Sequence, residues 1–259
     1  MTWLSGVLAV LSGSIVGFSL GLIGGGGSIL SVPLLIYVVG IRDPHLAIGT
    51  SALAVGVNAF ANFISHWRTG TVKWPCAFVF GGTGVVGAAL GSSLGKSVDG
   101  QKLLFFFALI MIAVGAMMLR PKASGGNPDV QLNPRIAARL VAVAFVTGAI
   151  SGFFGIGGGF LIVPGLMLGS GMPILNAVGS SLFSVGAFGL TTTVNYALSG
   201  LVDWGLAAVF IVGGVFGGFA GLRAALRLAE HRRALSRVFA GVIFVVAAYM
   251  LARVGLAAV

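Results

Sequence analysis

Two glycine strings in this chain could hold an anion with backbone alone: Gly21-Leu22-Ile23-Gly24-Gly25-Gly26-Gly27 and Gly152-Phe153-Phe154-Gly155-Ile156-Gly157-Gly158-Gly159. Glycine reaches backbone dihedrals closed to other residues, and without a Cβ it lets a compact ligand approach the amides. A helix that begins just after such a break offers free N–H groups and the positive end of its dipole. The apolar segments that begin near Ser28 and Phe160 are placed to do this. Two such ends aimed at one point would build an anion site from Gly24, Gly25, Gly26, Gly27, Ser28, Gly155, Gly157, Gly158 and Gly159. Close helix packing is the competing use of small residues, and it accounts for Gly213-Gly214 and Gly217-Gly218. It accounts poorly for consecutive glycines, since a packing face needs a small residue only about every fourth position.

Around these strings stand a few polar side chains. Gly49-Thr50-Ser51 and Gly179-Ser180-Ser181 occupy equivalent places early in the next apolar stretches. There Thr50, Ser51, Ser180 and Ser181 could complete an anion shell, or simply bond back to their own helices. Asn58 and Asn62, one turn apart, and Thr192 and Asn195 in the matching region could line a pathway or join helices to each other. The acidic residues Asp43, Asp99, Asp129, Asp203 and Glu230 all fall at or near expected connections, so no carboxylate relay crosses the apolar sequence. His45, His66 and His231 also fall near span ends, which favours surface roles over proton transfer. The lone Cys76 cannot form an internal disulfide, and no Cys/His cluster has metal-ligand spacing. Cys76 reads as a packing or lipid-facing residue. No nucleophile, base and orienting group converge. The expectation is a protein without catalytic residues, metal or cofactor.

The elements that carry these residues are duplicated. Gly17, Gly21, Gly24, Gly26, Gly27, Leu30, Val32 and Pro33 recur 131 residues later as Gly148, Gly152, Gly155, Gly157, Gly158, Leu161, Val163 and Pro164. After a one-residue deletion the offset is 130, and it pairs Gly70, Val72 and Trp74 with Gly200, Val202 and Trp204. Register held over so many landmarks marks an internal repeat. The symmetry is imperfect at Ile156, which stands where the first half has Gly25.

With 58% hydrophobic and 8% charged residues in a chain of 259, there is too little polar surface to cover a water-soluble globule. Apolar stretches lie at 4–40, 46–66, 74–95, 103–119, 136–170, 175–198, 204–225 and 237–258. Most match the roughly 20 residues that cross a ~30 Å hydrocarbon core as helix. Segment 4–40 is too long for one span, so the glycines are expected to break it into 4–22 and a shorter piece from about Ser28 to Gly40. The second half repeats this as 136–153 and 160–170. No positively charged leader precedes the first stretch, so no cleaved signal peptide is expected.

Charge then selects a topology. If each broken segment crossed once, the Lys and Arg residues would divide seven to eight between the two sides. If each returns to the side it started from, Arg68, Lys73, the 120–139 region and Arg223–Arg237 gather eleven charges on one side. Arg42, Lys96, Lys102 and Arg253 remain on the other. Eleven against four is the bias expected of cytoplasmic loops. The expected fold is an all-α polytopic membrane protein of two inverted-topology repeats, 1–120 and 136–259. Each repeat begins with a Gly-broken hairpin followed by three transmembrane helices. A cytoplasmic linker, 121–135, joins them, and both termini are periplasmic. The basic stretch 223–237 reads as the charged end of a span or as an amphipathic helix. The net charge of +10 is thereby assigned to orientation rather than to nucleic acid.

At the doubled glycine motifs, each followed by Val-Pro (Val32-Pro33, Val163-Pro164), and at the Gly-Thr-Ser and Gly-Ser-Ser pair, the chain resembles the sulfite exporter TauE/SafE family of bacterial membrane proteins. The resemblance implies transport of sulfite or an organosulfonate-type anion across the inner membrane, usually outward. Sulfoacetate and thiosulfate are not separated from sulfite by these motifs. Expected partners are a small anion and membrane lipid, with a homo-oligomer left open. A membrane scaffold or maturation partner, docking through the basic linker and the 223–237 stretch, is the alternative of a different class.

Overall fold

The computed structural model describes residues 3–23, 25–119, 127, 130–155, 157, 159–227 and 232–257. Every regular element among the described residues is helical. Helix α1 (Trp3–Ile23) is followed by a 3₁₀ turn (Gly25–Leu30), α2 (Ser31–Leu34) and a π turn (Leu35–Val39). Then come α3 (Pro44–Arg68), α4 (Trp74–Ser97) and α5 (Gly100–Leu119). The second half contains α6 (Pro134–Phe154), α7 (Gly159–Ser170), α8 (Ile174–Ala197), α9 (Trp204–Arg227) and α10 (Arg232–Ala257). Eight of these are long and apolar enough to cross a membrane, and two apolar stretches, Gly27–Val39 and Gly159–Ser170, are shorter. The chain is a multi-pass membrane protein.

The breaks fall where the glycines stand. The second agrees with the expected 136–153 and 160–170 to within two residues at each bound. The first differs in winding. In place of one uniform helix from Ser28, the stretch passes through 3₁₀, α and π pitch and ends at Gly40 in the left-handed conformation (φ 91°). Pro33 lies inside it, and proline has no N–H to donate one turn back and crowds the carbonyl there. The basic run 223–237 divides between the end of α9 and the start of α10, as the charged ends of two spans, with 228–231 outside the described residues.

Connections are closed by caps. Asn133 Oδ1 accepts from Ile136 N–H at 2.8 Å ahead of Pro134, and Asp99 Oδ1 accepts from Gln101 N–H at 3.0 Å. Asp203 Oδ1 accepts from Leu206 N–H at 2.9 Å. Asp99 and Asp203 sit at connections because helix starts have spare N–H groups and favour negative charge, while Asp129 and Glu230 lie outside the described residues.

Glycine contacts give the directions of the helices. Gly13, Gly17 and Gly21 of α1 abut Phe210, Gly214 and Gly218 of α9 in ascending order, so α1 and α9 run parallel. Gly214 and Gly218 also abut Asn58 and Asn62, so α9 runs parallel to α3. In the same way α6 runs parallel to α4 through Gly148 against Gly84 and Gly152 against Ala88, and α4 parallel to α8 through Gly81 and Gly84 against Phe183 and Phe188. Gly49 and Gly56 of α3 meet α8 in descending order, at Tyr196 and Leu190, so these two central helices are antiparallel. Since α1 and α3 share one sense, the stretch between them must carry the chain back. α5 and α10 pair on the flank. Loop 69–73, the start of α6 and the end of α9 therefore lie at one end of the bundle. Loops 40–43 and 198–203 lie at the other.

Candidate functional site

Helix α6 ends because Gly155 turns left-handed (φ 65°) and its N–H closes back on the Gly152 and Ser151 carbonyls. Gly157 is left-handed too (φ 63°), a conformation that costs residues with a Cβ about 1–2 kcal/mol. Helix α7 then starts at buried Gly159. The turn is pressed onto the two central helices. A methyl on Gly155 would overlap the Ile48 side chain, and one on Gly157 would come within 3.0 Å of Val55 Cγ1 and 3.1 Å of Val185 Cγ1. Ser51 ties α3 to this turn: its hydroxyl lies 3.0 Å from the Ile48 carbonyl and 3.2 Å from the Gly155 carbonyl.

On the other side Gly25 and Gly26 lie in the 3₁₀ turn, and Gly27 is folded so tightly against α1 that a methyl would overlap the backbone at Ser19 and Leu20. Ser28 is buried, and its carbonyl accepts from the Ser31 hydroxyl at 2.7 Å. This 3₁₀ turn packs directly on α7. The two short segments therefore meet, beside α3 and α8, with Gly25, Gly26, Gly27, Ser28, Ser51, Gly155, Gly157 and Gly159 gathered there. Gly24, Ile156 and Gly158 lie outside the described residues. The two sides are unequal. α7 presents an α-helical N-terminus, whereas the first segment presents a 3₁₀ turn whose amides are less aligned.

The remaining hydroxyls hold the frame. Thr50 Oγ1 accepts from Asp203 N–H at 3.0 Å, and Ser180 Oγ accepts from Lys73 N–H at 2.9 Å. Thr50 and Ser180 stand 130 residues apart, as do Lys73 and Asp203, so each half anchors the loop of the other by one reciprocal bond. Ser181 bonds back to Val178 at 2.8 Å. Asn62 bonds back to Asn58 at 2.9 Å, and Asn195 reaches across to Ser92 at 2.6 Å and Ser93 at 2.8 Å on α4. Asn58 and Thr192 are wholly buried, and neither side chain has a hydrogen-bond partner. Cys76, in the first turn of α4, is buried.

The glycines at 13, 17, 21 and at 213, 217, 221 form a backbone-to-backbone seam, the close packing expected of Gly213-Gly214 and Gly217-Gly218. One feature was not foreseen from the sequence. At the end of the bundle with loop 40–43, His45 and Lys96 both contact Tyr196. No local motif announces that grouping.

Residues 9–250 match the family model described as sulfite exporter TauE/SafE. A "Probable membrane transporter protein" of Xylella fastidiosa (strain 9a5c) is 52% identical over 98% of this chain and 97% of its own. "Probable membrane transporter protein YunE" of Bacillus subtilis (strain 168) is 30% identical over 83% and 86%. A "Probable membrane transporter protein", MJ0441, of Methanocaldococcus jannaschii is 28% identical over 76% and 71%.

Proposed function

Because the chain belongs to the sulfite exporter TauE/SafE family of membrane transporters, we propose that it exports a small sulfur oxyanion, sulfite or an organosulfonate, across the bacterial inner membrane. The observation that carries this reading is the meeting of the two glycine-broken segments beside α3 and α8. Unwound backbone at membrane depth is tolerated where protein or a wet cavity satisfies it, and broken helices meeting at the midplane are a recurrent transporter site. Amides of the Gly25–Gly27 turn and the N-terminus of α7 would face the anion, with Gly155 and Gly157 keeping side chains out of the way. Asn58 and Thr192 would offer polar steps along the path.

We read residues 1–120 and 136–259 as inverted repeats, joined by a cytoplasmic linker at 121–135, with both termini periplasmic. The opposed senses of α3 and α8, the return of the chain before α3, and the eleven-to-four division of Lys and Arg support this. An anion leaving an inside-negative cell gains about 2.3 kcal/mol per charge per 100 mV, so export needs no coupled ion.

Sulfite flux in proteoliposomes, with sulfate, thiosulfate and sulfoacetate as competitors, tests the proposal beside a Gly26→Leu, Gly157→Leu double variant. Saturable sulfite movement that disappears in a correctly inserted variant is the expected result. Movement of none of these anions, or movement indifferent to the glycines, would return the protein to the scaffold reading.

A further inference from the structure

The α3/α8 pair has two ends built from equivalent positions, and they are finished differently. At the end with loop 69–73, position 66 is a histidine whose Nδ1 lies 3.2 Å from Thr71 Oγ1. At the other end the equivalent position is Tyr196, wholly buried, with a hydroxyl that has no partner. A buried hydroxyl left unpaired is costly, and such groups in folded proteins point to water or a ligand. A second orphan stands beside it. His45 Nδ1 is buried without a partner, and the His45 and Tyr196 rings lie 6.3 Å apart between centroids. Lys96 completes the group, with Nζ 5.9 Å from the Tyr196 ring centroid. It donates at 2.9 Å to the Asn195 carbonyl and at 2.9 Å to Ser199 Oγ, and an ammonium carries three N–H groups, so one is left over.

The Tyr196 hydroxyl, the Lys96 ammonium and the His45 imidazole in its Nδ1–H tautomer are donors to a ligand with several acceptor oxygens and negative charge. The nearby acid is Asp43, one of whose oxygens accepts from the His45 backbone N–H at 2.8 Å; its negative charge opposes an anion here and is set against that of the Lys96 ammonium. We propose that Tyr196, His45 and Lys96 form a second small-oxyanion site at the loop 40–43 end of the central pair, an outer station that the anion occupies on its way to or from the glycine site. This rests on the transport reading above. The Tyr196 side chain lies over Gly49 of α3 at that end.

Tyr196→Phe is the decisive variant because it keeps the ring and removes a hydroxyl that bonds to nothing in the protein. Sulfite flux is measured with sulfite applied to each face of oriented proteoliposomes in turn, for wild type, Tyr196→Phe and His45→Asn. The expected result is an unchanged or higher unfolding temperature for Tyr196→Phe. Its half-saturating concentration should rise about fivefold from the loop 40–43 face and stay within about twofold from the other, the change that one lost hydrogen bond produces. Flux that saturates as in wild type from both faces, in both variants, overturns the station and leaves the glycine site standing. An effect seen in vesicles containing phosphatidylglycerol but absent from phosphatidylcholine alone assigns the cluster to lipid phosphate and overturns it too. If wild type moves no oxyanion, the transport reading and the station fall together.

Discussion

Single hydroxyls carry much of the specificity of this fold. Thr50 and Ser180 each accept one N–H from the loop of the opposite half, and these bonds hold the ends of α3 and α8 to their partners' connections. Removing either acceptor strands a partly buried N–H. Thr50→Val and Ser180→Ala should each cost about 1–2 kcal/mol, with additive effects because they act at opposite ends. In a chain of this length that lowers Tm by about 2–4 °C per kcal/mol, readable by thermal unfolding in detergent. The repeat offset made the equivalence of Thr50 and Ser180 legible, but not their task. What they bond to lies more than 100 residues away, at Asp203 and Lys73. The glycine breaks were legible because nothing else tolerates four consecutive glycines in an apolar stretch. The Tyr196 group was not, since its members come from three helices and follow no spacing.

Helix pairs are set by which glycines face backbone. A side chain on Gly91 would drive into the Ala149 carbonyl of α6, and one on Gly17 into the Gly214 carbonyl of α9, whereas Gly82 has open space around it. Gly91→Leu or Gly17→Leu should therefore abolish the folded, monodisperse protein on size-exclusion chromatography. Overpacking against backbone exceeds the usual 1–3 kcal/mol penalty because a carbonyl cannot repack as a side chain can. Gly82→Ala should instead raise stability by up to about 1 kcal/mol through helix propensity alone. Gly91 and Gly82 both lie in α4, so insertion and expression are matched for that pair. Span positions were legible from hydropathy, and the return of the chain before α3 from charge. The 3₁₀-to-π winding of Gly25–Val39 was not, because pitch responds to packing on α7 and α1 as well as to Pro33.

At the scale of the whole molecule, the parallel senses of α1 and α3 make a claim about sides. In a Cys76→Ser background, Trp3→Cys and Arg42→Cys should react with an impermeant maleimide from one side of the membrane. Thr69→Cys and Asn127→Cys should react from the other. If Trp3→Cys labelled with Thr69→Cys, the return of the Gly25–Val39 stretch and the inverted-repeat reading would both be lost.

The seam between α1 and α9 also has a consequence in time. Gly13 finds its neighbour at Phe210, and α4 finds its own in α6, so the glycine seams of α1 and α4 are completed only by helices of the second half. A ribosome adding about 5–20 residues per second delivers α9 roughly 10–40 seconds after α1. Through that interval the first helix sits in lipid with its glycine face bare. The protein thus assembles backwards across its own length, its earliest helix among the last to be seated, and the waiting helix is the step at which a membrane chaperone would have most to do.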